Sequence, residues 1–185
     1  MSSFKENLPN YLTFGRILAI PFMVLFFLVE DGIKYVTTTI FIIACLTDYL
    51  DGYLSRKWNV QSKLGELMDP IADKLIVITA LALFLDKDES HILLIPTIGI
   101  MCREVFISGL REFVAKTASE IPVTKLAKWK TGAQMTAMII LLAVGGSEEF
   151  LLLYILGAAA LWFAFGLTIY TGWLYFKVAK DKGLI

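Results

Sequence analysis

The chain has little from which to build a transition-metal site or a disulfide framework. It carries one histidine, His91, and two cysteines, Cys45 and Cys102. Both cysteines lie in apolar stretches, and neither belongs to a C-x2-C or Cys/His pattern. That sets aside zinc and disulfide frameworks and leaves two small core residues. His91 alone makes no metal site and reads as a residue at a membrane-facing helix end. Net charge is also missing, because 17 Lys and Arg balance 17 Asp and Glu. No overall field therefore invites a nucleic-acid partner. Pro/Gly/Ser-rich linkers, low-complexity runs and internal repeats are absent as well. Nothing divides the 185 residues, so a single domain over 1–185 is expected.

What is abundant is hydrocarbon. Hydrophobic residues make up 57% of the chain, and the mean hydropathy is +0.70. A membrane protein fits this composition better than a soluble domain. A spanning helix needs about 20 mostly apolar residues. Candidate spans fall at 11–29, 35–55, 70–86, 92–114, 126–146 and 150–176. The expected fold is therefore all-α, a polytopic bundle of six transmembrane helices. The stretch after Arg16 lacks an A-x-A-like cleavage site and reads as a retained first span. Residues before Pro9 suit a short interfacial helix.

Charge placement sets the topology. The segments 30–34, 86–89 and 147–149 are net acidic, whereas Lys5, Arg56, Lys57, Lys63, Lys116, Lys125, Lys180 and Lys182 collect on the other side. Lys and Arg mark the cytoplasmic side. Both termini are then cytoplasmic, the protein is multi-pass in the inner (cytoplasmic) membrane, and an even number of spans agrees. Trp58, Trp129 and Trp173 fall near cytoplasmic helix ends and read as interfacial anchors.

Four acids disturb this apolar pattern. In "TDYLDGYLSRKWNVQSKLGELMDPIADKL", residues 47–75, they are Asp48, Asp51, Asp69 and Asp73. A charge at the centre of a span costs roughly 2.5–3.5 kcal/mol even on the lenient insertion scale. At 100° per residue, Asp48, Asp51, Gly52 and Ser55 share one helix face, with Arg56 at its edge. Asp69 and Asp73 are four apart and share another face. The short connection brings the two helices together, so the acidic faces are expected to meet. Carboxylates so close repel unless cations neutralise them. Oxygen-only ligands suit Mg²⁺ or Mn²⁺, and four of them can hold two ions about 3.5–4 Å apart, as in two-metal phosphoryl chemistry. Plainer readings stand beside this one. Asp69 before Pro70 makes a good N-cap with proline at the first helical position. Gly52 also suits helix packing, and Gly65 suits a turn.

The full spacing is D-x2-D-G-x2-S-R-x8-G-x3-D-x3-D. It resembles the signature of the CDP-alcohol phosphotransferase family and departs from it only at Ser55, where alanine is usual. Serine is small and little disruption is expected. The resemblance implies a six-helix membrane enzyme whose metals, two ions of Mg²⁺ or Mn²⁺, are carried by Asp48, Asp51, Asp69 and Asp73. It implies that the CDP group is bound by Asp48, Gly52, Ser55, Arg56 and Gly65, to which Thr13 is added. Glycines admit close backbone approach, and the planar fork of Arg56 suits diphosphate. Asp73 is the implied catalytic base on the acceptor hydroxyl. Homodimers are common in the family.

Two further stretches bear on the acceptor. "REVFISGLREFVA", 103–115, sets Arg103, Glu104, Arg111 and Glu112 on a predicted span, and "KLAKWKTGAQ", 125–134, adds Lys125, Lys128 and Lys130. With "NLPNYLTFGR", 7–16, they resemble the members of the family that use sn-glycerol 3-phosphate. A doubly anionic acceptor needs basic side chains, and Arg is the natural fork for phosphate. Arg103, Arg111, Lys125 and Lys130 are the candidates. The lysines also suit plain positive-inside charge, and Arg103 suits a structural ion pair with Glu104. In the first span Asn10, Thr13 and Arg16 lie three apart, on one broad face that suits the same cavity. The expected reaction is CDP-diacylglycerol plus glycerol 3-phosphate giving phosphatidylglycerophosphate and CMP, amid membrane lipids. The alternatives are the same chemistry with inositol phosphate, serine or phosphatidylglycerol, and, from another class, a divalent-cation transporter. The transporter has no need of Arg56 and Gly65 at fixed spacing.

Overall fold

In a computed structural model of the chain, the described residues are 2–29, 34–58, 63–88, 91–115, 125–144 and 148–184. Regular structure among them is entirely helical. Six α-helices follow one another: α1 (Ser2–Leu28), α2 (Lys34–Trp58), α3 (Lys63–Lys87), α4 (Leu94–Ala115), α5 (Lys125–Val144) and α6 (Leu151–Asp181). A 3₁₀ turn, Glu148–Phe150, leads into α6. All six expected helices are present.

Two boundaries differ from the sequence expectation. The N-terminal residues form no separate interfacial helix; α1 runs unbroken from Ser2 through Pro9 and Pro21. A continuous helix keeps the remaining backbone groups paired where water is scarce. The second difference is at the acidic motif. Asp69 does not cap α3, because the helix begins at Lys63 and carries Pro70 in its interior. Proline there forfeits one backbone hydrogen bond. The neighbouring Lys74 ammonium donates to the Pro70 carbonyl at 2.9 Å.

Contacts gather into two compact units, Met1–Phe84 and Leu85–Ile185. In the first, α1 packs on α2, burying Met23, Phe41 and Ala44, while α3 buries Ala72, Ile76, Ala80 and Leu81. In the second, α6 packs on both α4 and α5. Its buried residues, Gly157, Leu161, Ala164, Thr168, Thr171, Gly172 and Ala179, form a stripe of mostly small side chains at helical spacing. Small residues let helix backbones approach closely. A Cβ added at Gly157 would lie 2.9 Å from Leu141, and one at Gly99 would run into the Phe165 ring. Ahead of α4, buried Asp88 accepts from the Tyr154 hydroxyl at 2.9 Å and the Leu93 amide at 3.3 Å. His91, next to this clamp, has φ 54°, a left-handed conformation in which His is over-represented.

Two stretches are long and apolar enough to cross a membrane, Asn10–Leu28 and Leu151–Asp181, with mean hydropathies of 1.9 and 2.1. Only 17% and 22% of them are buried, so their apolar faces point outward. The charged motif residues keep α2, α3 and α4 from the same degree of apolarity. Their outward faces are nevertheless apolar, with Ile43, Leu46, Leu75, Ile98 and Phe106 all exposed.

Candidate active site

The first unit brings all four motif aspartates to one point. Asp48 and Asp51 are three apart on α2, and Asp69 and Asp73 four apart on α3, as helical periodicity requires. At the centre lies a side chain of α1, the guanidinium of Arg16. It donates through Nη1 to Asp48 at 2.6 Å and also to Asp73, and through Nη2 to Asp51. Its Nη2 lies 3.7 Å from Asp69. One turn before, the Thr13 hydroxyl donates to Asp69. Thr13 and Arg16 are 1% and 2% exposed, so both sit beneath the acids. Asp51 is buried at 4%, while Asp48, Asp69 and Asp73 are open at 43–44%.

The electrostatics follow from the count. Four carboxylates surround one guanidinium, an excess of three negative charges when all are ionised. Arg16 removes part of the mutual repulsion and leaves the rest for cations from outside. The donor set is all oxygen, which suits Mg²⁺ or Mn²⁺ and not softer metals. Three of its four carboxylates remain accessible. Among the described residues no group of three or more acids, histidines or cysteines is spaced to hold a metal ion, and Arg16 holds the middle of this cluster.

The remaining motif residues are placed only in part. Gly52 is half-buried on α2 and Gly65 is buried on α3. The side chains of Ser55, Arg56 and Lys125 lie outside the described residues. α1 and α2 enclose an apolar groove of about 480 Å³, lined by Gly15, Leu18, Phe22, Ile43 and Ala44, with Arg16 also in its wall.

In the second unit Arg103 and Lys130 meet at Glu104. Arg103 of α4 donates to Glu104 at 3.4 Å, to the Thr168 carbonyl at 3.0 Å and to the Thr171 hydroxyl at 3.1 Å. Lys130 of α5 donates to the same Glu104 oxygen. Arg111 is exposed, its guanidinium 5.7 Å from the centre of the Tyr175 ring.

Sequence reasoning put Arg16 on a face with Thr13 and did not foresee it at the centre of the acids. The available signal was an arginine inside an otherwise apolar span, which in a membrane segment asks for a partner.

Comparison with known proteins bears on the whole chain. The sequence profile described as CDP-alcohol phosphatidyltransferase matches residues 6–170. A Rickettsia typhi protein named CDP-diacylglycerol--glycerol-3-phosphate 3-phosphatidyltransferase is 42% identical over 176 residues, covering 95% of this chain and 98% of its own. The Haemophilus influenzae protein of that name is 41% identical over 182 residues, covering 96% of each chain. An Arabidopsis thaliana protein of the same name, numbered 2, is 38% identical over 190 residues, covering 96% of this chain and 81% of its own.

Proposed function

The chain belongs to the CDP-alcohol phosphatidyltransferase family, and from that premise we infer that it transfers the phosphatidyl group of CDP-diacylglycerol to sn-glycerol 3-phosphate, releasing CMP. The observation that carries the chemistry is the meeting of Asp48, Asp51, Asp69 and Asp73 at one point. The near full-length relatives carry the substrates in their names.

The mechanism is a displacement at phosphorus. The 1-hydroxyl oxygen of the acceptor forms a bond to the β-phosphorus, which bears the diacylglycerol. The bond from that phosphorus to the bridging oxygen breaks, and its electron pair leaves with CMP. The hydroxyl proton goes to the Asp73 carboxylate, which is accessible at 44%; a positioned base contributes roughly 10²–10⁴-fold. Asp48, Asp51, Asp69 and Asp73 are the residues that would hold two ions of Mg²⁺ or Mn²⁺, which when bound neutralise charge developing on the phosphates. Thr13 orients Asp69 by hydrogen bond, and Arg16 fixes the acidic cluster from below. Asp48, Thr13, Gly52, Ser55, Arg56 and Gly65 are assigned to the CDP group. Arg103, Arg111, Lys125 and Lys130 are assigned to the acceptor's phosphate.

The lipid fits the same reading. The α1–α2 groove is apolar, has Arg16 in its wall and has room for an acyl chain. Apolar outward faces on α1, α2, α3, α4 and α6 support a multi-span arrangement, read as six spans in the cytoplasmic membrane with the acids at its inner face, where water-soluble acceptors arrive. The family match runs through both units, which supports one catalytic domain over 1–185.

The deciding experiment is CMP release from CDP-diacylglycerol by the purified protein with Mg²⁺ or Mn²⁺ and a panel of acceptors. Glycerol 3-phosphate is expected to be the preferred one. Release with serine, inositol phosphate or phosphatidylglycerol, and none with glycerol 3-phosphate, reassigns the enzyme within its family.

A further inference from the structure

We propose that Glu104 is a positioning residue that fixes Arg103 and Lys130 as one cationic pair for the acceptor's phosphate. The inference rests on glycerol 3-phosphate being the acceptor, and it concerns how that site is held in shape.

Three charged side chains meet in the second unit. Arg103, Glu104 and Lys130 are 14%, 18% and 8% exposed, so the cluster is largely withdrawn from solvent. A single oxygen, Oε1 of Glu104, accepts from both cations. A structural ion pair matches one charge with one. Among the described residues, one carboxylate here faces two cations, and a positive charge is left over in a site with little water. Such an excess is costly unless an anion completes it. The 14% of the Arg103 side chain that stays exposed is where that anion arrives.

Arg103 is held from the other side by α6. Its Nε donates to the Thr168 carbonyl and one terminal nitrogen to the Thr171 hydroxyl. Thr171 is itself fixed by donating to the Leu167 carbonyl at 2.8 Å. Gly172 provides the space: a Cβ there would stand 3.1 Å from Nε and 3.4 Å from Cγ of Arg103. Of the five guanidinium N–H groups, three have these partners and two remain for an anion. Lysine and arginine both carry many rotamers, and an anion that had to order them would bind more weakly. In this cluster Glu104 and α6 have ordered them beforehand. Among the described residues of α5, Lys130 reaches Glu104, so the shared carboxylate also sets the distance between the two positive charges.

The test uses substitutions that keep charge constant and change only position. Glu104→Asp shortens the reach by one methylene, and Gly172→Ala presses on Arg103. With the full-length protein, both are expected to raise the KM for glycerol 3-phosphate about 3–10-fold while the KM for CDP-diacylglycerol and kcat stay within about twofold, the split expected when acceptor binding alone is weakened. Melting temperature is measured alongside. If Glu104→Asp does not fold, Gly172→Ala decides by the same split. An unchanged KM for glycerol 3-phosphate in an otherwise active variant overturns the proposal. So does an equal loss on both substrates that tracks a fall in melting temperature. If the unsubstituted protein releases no CMP with glycerol 3-phosphate, the acceptor assignment itself fails, and the inference falls with it.

Discussion

Replacing Arg16 by methionine removes the charge at the centre of the acidic cluster and keeps a long unbranched stem. Arg16 is 2% exposed and contacts all four aspartates. Removing one partner of a buried ion pair typically costs 3–5 kcal/mol, roughly, because the other charge is left uncompensated. Three of the partners here are 43–44% open to solvent and are screened. Asp51, at 4%, bears most of the penalty. The lower end, about 3 kcal/mol, is therefore expected, which for a chain of this size is roughly 6–12 °C of melting temperature. The measurement is thermal unfolding of the detergent-purified protein in chelator, where no divalent ion replaces the lost charge. Added Mg²⁺ then reverses the effect. In the variant the ion meets four carboxylates with no guanidinium among them, so stabilisation sets in at lower Mg²⁺ than in the parent. A variant that melts like the parent in chelator would refute the central role of Arg16. So would stabilisation of both proteins at the same Mg²⁺ concentration.

The remaining expectations are briefer. Arg111→Ala raises the KM for glycerol 3-phosphate about 10–100-fold, the worth of a charge-assisted phosphate contact, with a much smaller effect on CDP-diacylglycerol; equal effects mean that Arg111 serves only its packing on Tyr175. Asp73→Asn loses turnover by roughly 10²–10⁴-fold and raised metal does not restore it, whereas Asp51→Asn is partly rescued by more Mg²⁺ or Mn²⁺; full rescue of both leaves Asp73 a ligand only. Gly157→Val drives its side chain against Leu141, which would lie 2.9 Å from the first added carbon, and destabilises by about 1–3 kcal/mol in thermal unfolding. Cysteines placed at Lys34, Lys87 and Ser147 label from outside the cell, and those at Lys63 and Ser119 do not; labelling of all five from one side removes the six-span arrangement.

Much of the site was legible because its chemistry follows the period of a helix. Asp48 with Asp51, and Asp69 with Asp73, had to share faces once their segments were helical. The six helices were legible for the same reason, from the lengths of the apolar runs. The start of α3 was not. An aspartate before a proline carries the same local signal at an N-cap as it does inside a helix. What distinguishes them is Thr13 and Arg16, which hold Asp69 from another helix, and a contact 56 residues away in sequence leaves no mark on the local pattern.

The counter-ions were hidden for that reason in both units. Arg16 reads in sequence as one member of a polar face, and its partners are decided by how α1 packs. Lys130 reads as one of three basic residues at a headgroup layer; only its place on α5 brings it to Glu104. Balancing charges within each local stretch therefore gives the wrong account. The first unit gathers four carboxylates around one guanidinium, and the second gathers two cations around one carboxylate. Among the described residues neither cluster is neutral by itself, and the two excesses have opposite sign. An excess at buried or half-buried positions that served only stability would be replaced at little cost by apolar packing. The excess fits the proposed reading, in which a divalent cation completes the first cluster and a phosphate dianion the second.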